Sequence, residues 1–288
     1  MLVHHDFSQR PDFVLTGDNV CILENPVVTE WGNWTLAEAT LHLLRYALLH
    51  CQFDYFQLLS DSCLPIQPIS EFKQTLLSRR PDAMMDLIDV STNKDLFVSH
   101  AYRYTPSKTL AHRIFRRSRI WALGPGPHTL ERIAGLGIPI AQQAVSLVPR
   151  IKQIIGRTFL LFLYLPNLVA QRKFFVGSVW FCASHQVCSY IVEQACTEKL
   201  VQYFSELRGP DEIFFPYVIG NSGFRNIVAA NHFTLWKLRG TGPEEIQKAD
   251  LPDVMSSGKF FARKFSKSSN NPARTAVLSS PFFCNGKI

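Results

Sequence analysis

Apolar residues recur every three to four positions from Thr35 to His50, "TLAEATLHLLRYALLH", and that spacing predicts an amphipathic helix. Leu36, Ala39, Leu43 and Ala47 mark its expected inner stripe, and Thr35 with Glu38 has the spacing of a capping box. Shorter apolar runs flank it. Leu2-Val3 leads into a polar tip at His4-His5-Asp6, and "NVCILE", Asn19 to Glu24, has strand character. "DYFQLLS", Asp54 to Ser60, reads as a buried strand; "DSCLPIQP" turns the chain. "ISEFKQTLLSRR" reads as a helix with Ser70 as its cap. "DAMMDLIDV", Asp82 to Val90, and "FFVGSVWFCAS" add strands, and "HQVCSYIVEQACTEKLVQYFSEL" reads as one helix. Helices alternating with short strands predict an α/β sandwich around one sheet.

Between about residues 99 and 157 the periodicity weakens. "ALGPGPH" and "GLGIP" punctuate a basic, loop-rich excursion. After Phe265, "SKSSNNPARTAVLSS" is polar and expected to be loose, at least at its start. The predicted organisation is one domain over residues 1–266 and a polar tail over residues 267–288. No internal repeat is present.

Composition narrows the class. At 288 residues, 47% hydrophobic and 18% charged, the chain is globular, not disordered. A net charge of +7 favours anionic partners: nucleic acid, a membrane surface or a phosphorylated small molecule. "HRIFRRSRIW" and "RIKQIIGR" hold much of that charge, but no nucleic-acid motif accompanies them, and they suit an anionic membrane surface or an anionic polysaccharide equally. The seven cysteines are scattered without a Cys-x-x-Cys pair, which argues against structural zinc and suits a reducing compartment. "MLVHHDFSQRPDF" lacks a signal-peptide pattern, and "TFLLFLYLPNLVA" is short for a bilayer span and interrupted by Pro166. A cytoplasmic protein, with contact at the inner membrane face, is expected.

No Gly-x-Gly-x-x-Gly, Gly-Lys-Ser/Thr or Gly-x-Ser-x-Gly motif occurs. His4 and His5 are adjacent, so on a strand they point to opposite faces and do not form one metal site. In "RGPDEIFFPYVIGNS", Arg208 to Ser222, Asp211 and Glu212 precede an apolar run. They read either as first-turn acids complementing a helix dipole or as a partly desolvated general base. In "GKFFARKFS", Arg263 and Lys264 stand between phenylalanines, as a basic surface turn or as a diphosphate clamp. Trp31 and Trp34 bracket Gly32-Asn33 ahead of the long helix, and suit either a packing plug or a sugar platform.

Several segments together resemble the core-2/I-branching β-1,6-N-acetylglucosaminyltransferases, a family that includes the peptide O-xylosyltransferases, and bacterial members above all. "WGNWTLAEATLHLLRYAL" is similar to the family's Trp-Gly-Gly-x-Ser-x-x-x-Ala-Thr-Leu helix start. "FDYFQLLSDSCLPIQPISEF" resembles its Phe-Asp-Tyr-Phe-x-x-Leu-Ser-x-x-Asp-Tyr-Pro-Leu block, and "GSVWFCAS" its Gly-Ser-x-Trp-Phe-x-Leu-Ser block. "GPDEIFFPYVIGNS" and "DLPDVMSSGKFFARKF" resemble the last two. The likeness runs in order from about Leu2 to Ser266.

The resemblance implies a GT-A-like Rossmann-type α/β/α sandwich with one mainly parallel central sheet. It implies inverting transfer of a sugar, N-acetylglucosamine first among candidates, from a UDP-sugar to an acceptor hydroxyl on a glycan, polysaccharide or lipid-linked acceptor. Glu212 is then the general base. Arg263 and Lys264 hold the diphosphate in place of a metal, so no metal or other cofactor is expected, and Asp6 lies near the uridine. Trp31, Asp61, Ser178, Trp180 and Asp211 are candidate sugar or acceptor contacts. Three departures stand out. The family's opening strand-helix unit has no counterpart here, so the sheet is expected to lack its first βα unit. Cys63 replaces a common Asp, and Val179 fills a slot where Gln or Asp is usual. The alternative is an impaired, carbohydrate-binding or scaffold member of the same fold.

Overall fold

A computed structural model describes residues 1–91, 100, 154–155, 172–236 and 243–280. The basic segment around 99–157, apart from His100, Ile154 and Ile155, lies outside the described residues, as does the apolar run Thr158 to Ala170. In chain order the described elements begin β1 (Leu2–Val3), β2 (Cys21–Ile22), α1 (Trp34–His50), β3 (Tyr55–Gln57), β4 (Leu64–Pro65), α2 (Ile69–Arg79), β5 (Ala83–Met84) and β6 (Ile88–Asp89). They continue with β7 (Phe175–Val176), β8 (Cys182–Ser184), α3 (His185–Gln194), α4 (Glu198–Ser205), α5 (Asp211–Gly220), β9 (Ile227–Val228), β10 (His232–Thr234), α6 (Leu251–Ser256), β11 (Phe261–Arg263) and α7 (Pro272–Leu278).

The chain divides into two compact units. The first comprises Met1–Leu43, Leu87–Gly177 and Val192–Ser222; the second comprises Leu44–Asp86, Ser178–Ile191 and Gly223–Ile288. In the first unit β1 pairs in parallel with β2, and β6 pairs antiparallel with β7. The second unit holds a four-stranded sheet in the order β3-β8-β5-β9 and a three-stranded sheet in the order β10-β11-β4. Within them β5/β9 and β10/β11 run parallel, whereas β3/β8, β5/β8 and β11/β4 run antiparallel. The architecture is mixed α/β, as expected. Among the described strands parallel and antiparallel pairs mix in four small sheets, so the single, mainly parallel sheet that the resemblance implies is not shown.

Helix α1 buries Ala37, Thr40, Leu41, Leu44 and Ala47. That stripe has the expected period but a shifted phase, since Leu36, Ala39 and Leu43 are only half-buried. The helix is apolar on most sides, so periodicity alone leaves its phase open. Thr35 does not cap it; its hydroxyl accepts from Glu30 N–H at 2.9 Å, while Glu38 accepts from the Trp34 indole at 3.2 Å. Ser70 is likewise not a cap, because α2 begins at Ile69 after Pro68. The helix expected from His185 to Leu207 breaks in two at Ala195–Thr197. Thr197 leaves the helical region (φ −79°, ψ 101°) as the N-cap residue of α4, with Glu198 in the first turn.

Two apolar clusters fill the second unit. Phe72 and Leu76 of α2 meet Met84, Cys182 and Phe261. Leu64, Ile66, Ile246, Val254, Ala262 and Phe265 meet Ala273 and Val277. The last two come from the later part of the polar tail. Asn271 accepts from Arg274 N–H, Pro272 opens α7, and an apolar pair at i, i+4 docks it.

Candidate active site

Helix α5 builds the first unit's acidic wall. Pro210 precedes it, Asp211 and Glu212 occupy its first turn, and every residue from Ile213 to Ile219 is buried. A helix apolar on all sides has to be enclosed. Trp34 meets Phe214 edge-on at 5.1 Å, and Phe204 packs between Phe214 and Tyr217 at 5.5 and 5.2 Å. Pro216 stands inside the helix and has no N–H to give the carbonyl four residues back. That carbonyl belongs to Glu212, and it accepts instead from Gly177 N–H at 3.1 Å. At the far end the Asn221 side chain accepts from Lys173 N–H at 3.0 Å and donates to Lys173 C=O at 2.8 Å. The chain around β7 is therefore laced to α5 at both ends, and the backbone of Glu212 is held by it. The Glu212 side chain itself is exposed and Asp211 half-buried, so the expected partial desolvation of the carboxylate is not seen. Burial starts one residue later, because the first turn of α5 faces outward.

The loop before α1 rests on the loop before α5. Gly209 N–H donates to Gly32 C=O at 2.9 Å, and the Arg208 guanidinium carbon lies 5.0 Å from the Trp31 ring centroid. Gly32 adopts φ +77°, which a side chain would resist. Trp31 is 78% exposed, so it does not plug the core; Trp34 has the packing role. Asp6 ties the same loop to β1. Its Oδ1 accepts from Ser8 N–H and Oγ at 3.0 and 2.6 Å, and its Oδ2 from Thr29 N–H and Oγ1 at 2.7 and 3.0 Å. Hydrogen bonds from Ser8 and Thr29 draw the Asp6 pKa down to about 2. A carboxylate has roughly four lone-pair sites, and here each has a protein donor. Asp6 therefore acts first as a staple of the loop that carries Trp31.

The second unit builds a cationic wall. Arg263 ends β11, with its guanidinium carbon 4.4 Å from the Trp180 ring centroid. The Arg263 and Lys264 carbonyls accept from Leu235 and Ile246 N–H, and Phe265 N–H donates to Ser62 C=O at 2.9 Å. That last bond docks the turn at residues 60–63 beside the two cations. Within the turn Ser60 N–H donates to Cys63 Sγ at 3.3 Å, and burial pushes the Cys63 thiol pKa up. Asp61 pairs with Lys267 at 2.5 Å. Ser178 Oγ accepts from Trp180 N–H at 3.3 Å.

The predicted site residues thus form two groups. Asp6, Trp31, Asp211 and Glu212 belong to the first unit; Asp61, Ser178, Trp180, Arg263 and Lys264 belong to the second. The family model described as Core-2/I-Branching enzyme matches residues 4–135 and 145–258. The chain belongs to the core-2/I-branching enzyme family. Among curated proteins, none matches the chain. The core-2/I-branching enzymes are glycosyltransferases, so the activity is sugar transfer, with a sugar donor and a glycan acceptor as partners. The matched region includes Glu212 and stops short of Arg263 and Lys264.

Among the described residues, no three or more His, Cys, Asp or Glu side chains converge on a metal position, and no helix is long and apolar enough to cross a membrane. Sequence reasoning missed Arg208, which seats Trp31, and Lys267, which occupies Asp61. It also missed His232, buried on β10. Only the Arg208–Glu212 proximity in sequence offered a signal for any of these.

Proposed function

We propose that this family member transfers a sugar, N-acetylglucosamine in the first instance, from a UDP-sugar to an acceptor hydroxyl with inversion and without a metal. Glu212 takes the proton of the acceptor hydroxyl as that oxygen bonds to the anomeric carbon from the face opposite UDP. The bond from that carbon to the UDP oxygen breaks, and its electron pair leaves with UDP. Arg263 and Lys264 offset the charge that gathers on the departing diphosphate. The observation that carries this reading is the fixed start of α5, where the Pro216 gap lets Gly177 hold Glu212 by its backbone. Trp31, exposed beside Arg208, supports an acceptor sugar ring, and a seated acceptor supplies the desolvation that the open Glu212 lacks. Polysaccharide or lipid-linked acceptors at the inner membrane face suit the basic segments.

The experiment measures UDP release and UDP-sugar binding by wild-type protein and Glu212→Gln. Turnover should fall by roughly 10²–10⁴-fold while donor binding is spared. Equal turnover in the variant, or no UDP-sugar binding by the wild type, removes the proposal. A second reading, an impaired carbohydrate-binding member, draws on Asp6, whose oxygens are committed to Ser8 and Thr29. It predicts sugar binding without any UDP release.

A further inference from the structure

Strand β10 opens on a histidine that the mechanism above leaves unused. His232 is 7% exposed, yet neither Nδ1 nor Nε2 has a hydrogen-bond partner. Buried polar atoms in native proteins are nearly always paired, so two orphans on one ring call for an explanation. The preceding residue repeats the pattern in part. Asn231 is buried, gives its side-chain N–H to Gln57 at 2.6 Å, and leaves Oδ1 unpartnered.

Register places the histidine. β10 runs parallel to β11, with His232 opposite Phe261 and Thr234 opposite Arg263. Side chains two apart on a strand share a face, so His232 lies on the face that carries Arg263. The Trp180 ring, on which the Arg263 guanidinium rests, is 5.7 Å from the imidazole, and the Phe261 ring is 6.1 Å away. Burial first, then the Arg263 charge, pulls the His232 pKa down to about 3. A neutral imidazole offers one N–H donor and one acceptor nitrogen. A sugar hydroxyl matches that pair, since it both accepts and donates; a phosphate oxygen only accepts.

We propose that His232 is a donor-binding residue that contacts a hydroxyl of the transferred sugar, next to the diphosphate held by Arg263 and Lys264. The imidazole is buried in the free protein, so a sugar reaches its nitrogens only when side chains packed around it give way. One of the ring's two unmet hydrogen bonds is then made only in the donor complex, which ties a specificity contact to the clamp. This inference rests on the UDP-sugar reading of the site.

The test uses the full chain, with UDP and the tightest-binding of UDP-N-acetylglucosamine, UDP-glucose and UDP-xylose titrated calorimetrically, beside thermal melts of the free protein. His232→Phe removes both orphan nitrogens, so the free variant should melt at or above the wild type. Its UDP affinity should stay within about twofold, while its UDP-sugar affinity should fall about 10-fold, the value of one hydrogen bond. His232→Leu removes the same atoms in a smaller side chain and serves if Phe does not fit. His232→Gln, which keeps a donor and an acceptor, should recover part of the loss. Unchanged UDP-sugar affinity in the folded Phe or Leu variant overturns the proposal, as does an equal loss for UDP and UDP-sugar. Those results leave the enzyme reading standing. Failure of the wild type to bind any UDP-sugar overturns the donor class and this contact together.

Discussion

Gly220 closes α5 where it meets β7, and adding one methyl group there tests how tightly the helix that carries Glu212 is held. A Cβ on Gly220 would lie 2.3, 2.5 and 2.8 Å from Cδ2, Cγ and Cε2 of Phe175. Ordinary carbon contacts need about 3.5–4.0 Å, so the ring has to retreat by roughly 1.5 Å. Because Cγ is among the contacts, spinning the ring about its own axis gives no relief. The backbone of β7 has to yield, or the ring has to leave its rotamer. Both movements work against the Asp89–Phe175 pairing, the Phe174 N–H bond to Ser91 Oγ at 2.6 Å and the paired Asn221–Lys173 bonds. Overpacking of this kind costs about 1–3 kcal/mol, and the helix preference of Ala over Gly returns about 0.5–1 kcal/mol. Gly220→Ala should therefore be destabilised by up to about 2.5 kcal/mol, about 1 kcal/mol at mid-range. For a chain of this size that lowers the Tm by up to about 10 °C, read by thermal denaturation. In a Phe175→Ala background the same change should cost nothing or stabilise, giving a coupling of about 1–3 kcal/mol, the overpacking cost itself. A Gly220→Ala protein that melts above the wild type, or an identical cost in both backgrounds, refutes the close α5–β7 seam.

Lys264→Ala should weaken UDP and UDP-sugar binding to the same degree, about 10-fold or more for a charge-assisted contact, with calorimetry as the measurement. Trp31→Ala should raise the acceptor KM and spare donor affinity; the lost exposed cation–π contact with Arg208 lowers stability by only about 0.5–1 kcal/mol. Asp6→Asn gives a pH signature. The folded pKa of about 2 lies below the ordinary value, so the stabilisation from Asp6 is full above about pH 4 and fades as pH falls toward 2. The gap in Tm between wild type and Asp6→Asn should be widest near neutral pH and shrink on acidification; a gap independent of pH counts against the four-donor staple.

Much of the local structure follows from the chain by itself. Pro210 with two acids before an unbroken apolar run announces α5, and the three-to-four spacing of Thr35 to His50 announces α1, because helices are held by contacts within a turn or two. Family membership was legible for the same reason: short blocks such as "GPDEIFFPYVIGNS" keep their residue types in order. Long-range packing decided the rest. It chose which stripe of the largely apolar α1 is buried, assigned Thr35 to Glu30, and folded the later part of the polar tail into α7 against Phe265 and its neighbours. It turned Glu212 outward while fixing its carbonyl to Gly177, and it spent all four acceptor sites of Asp6 on a loop. His232 shows the limit most plainly. In "ANHFTLW" it is one residue of a strand, and only the parallel register of β10 on β11 sets it beside Arg263 and Trp180 with both nitrogens bare. Periodicity records how a residue relates to its neighbours along the chain, whereas a site is made by residues that only the fold makes neighbours.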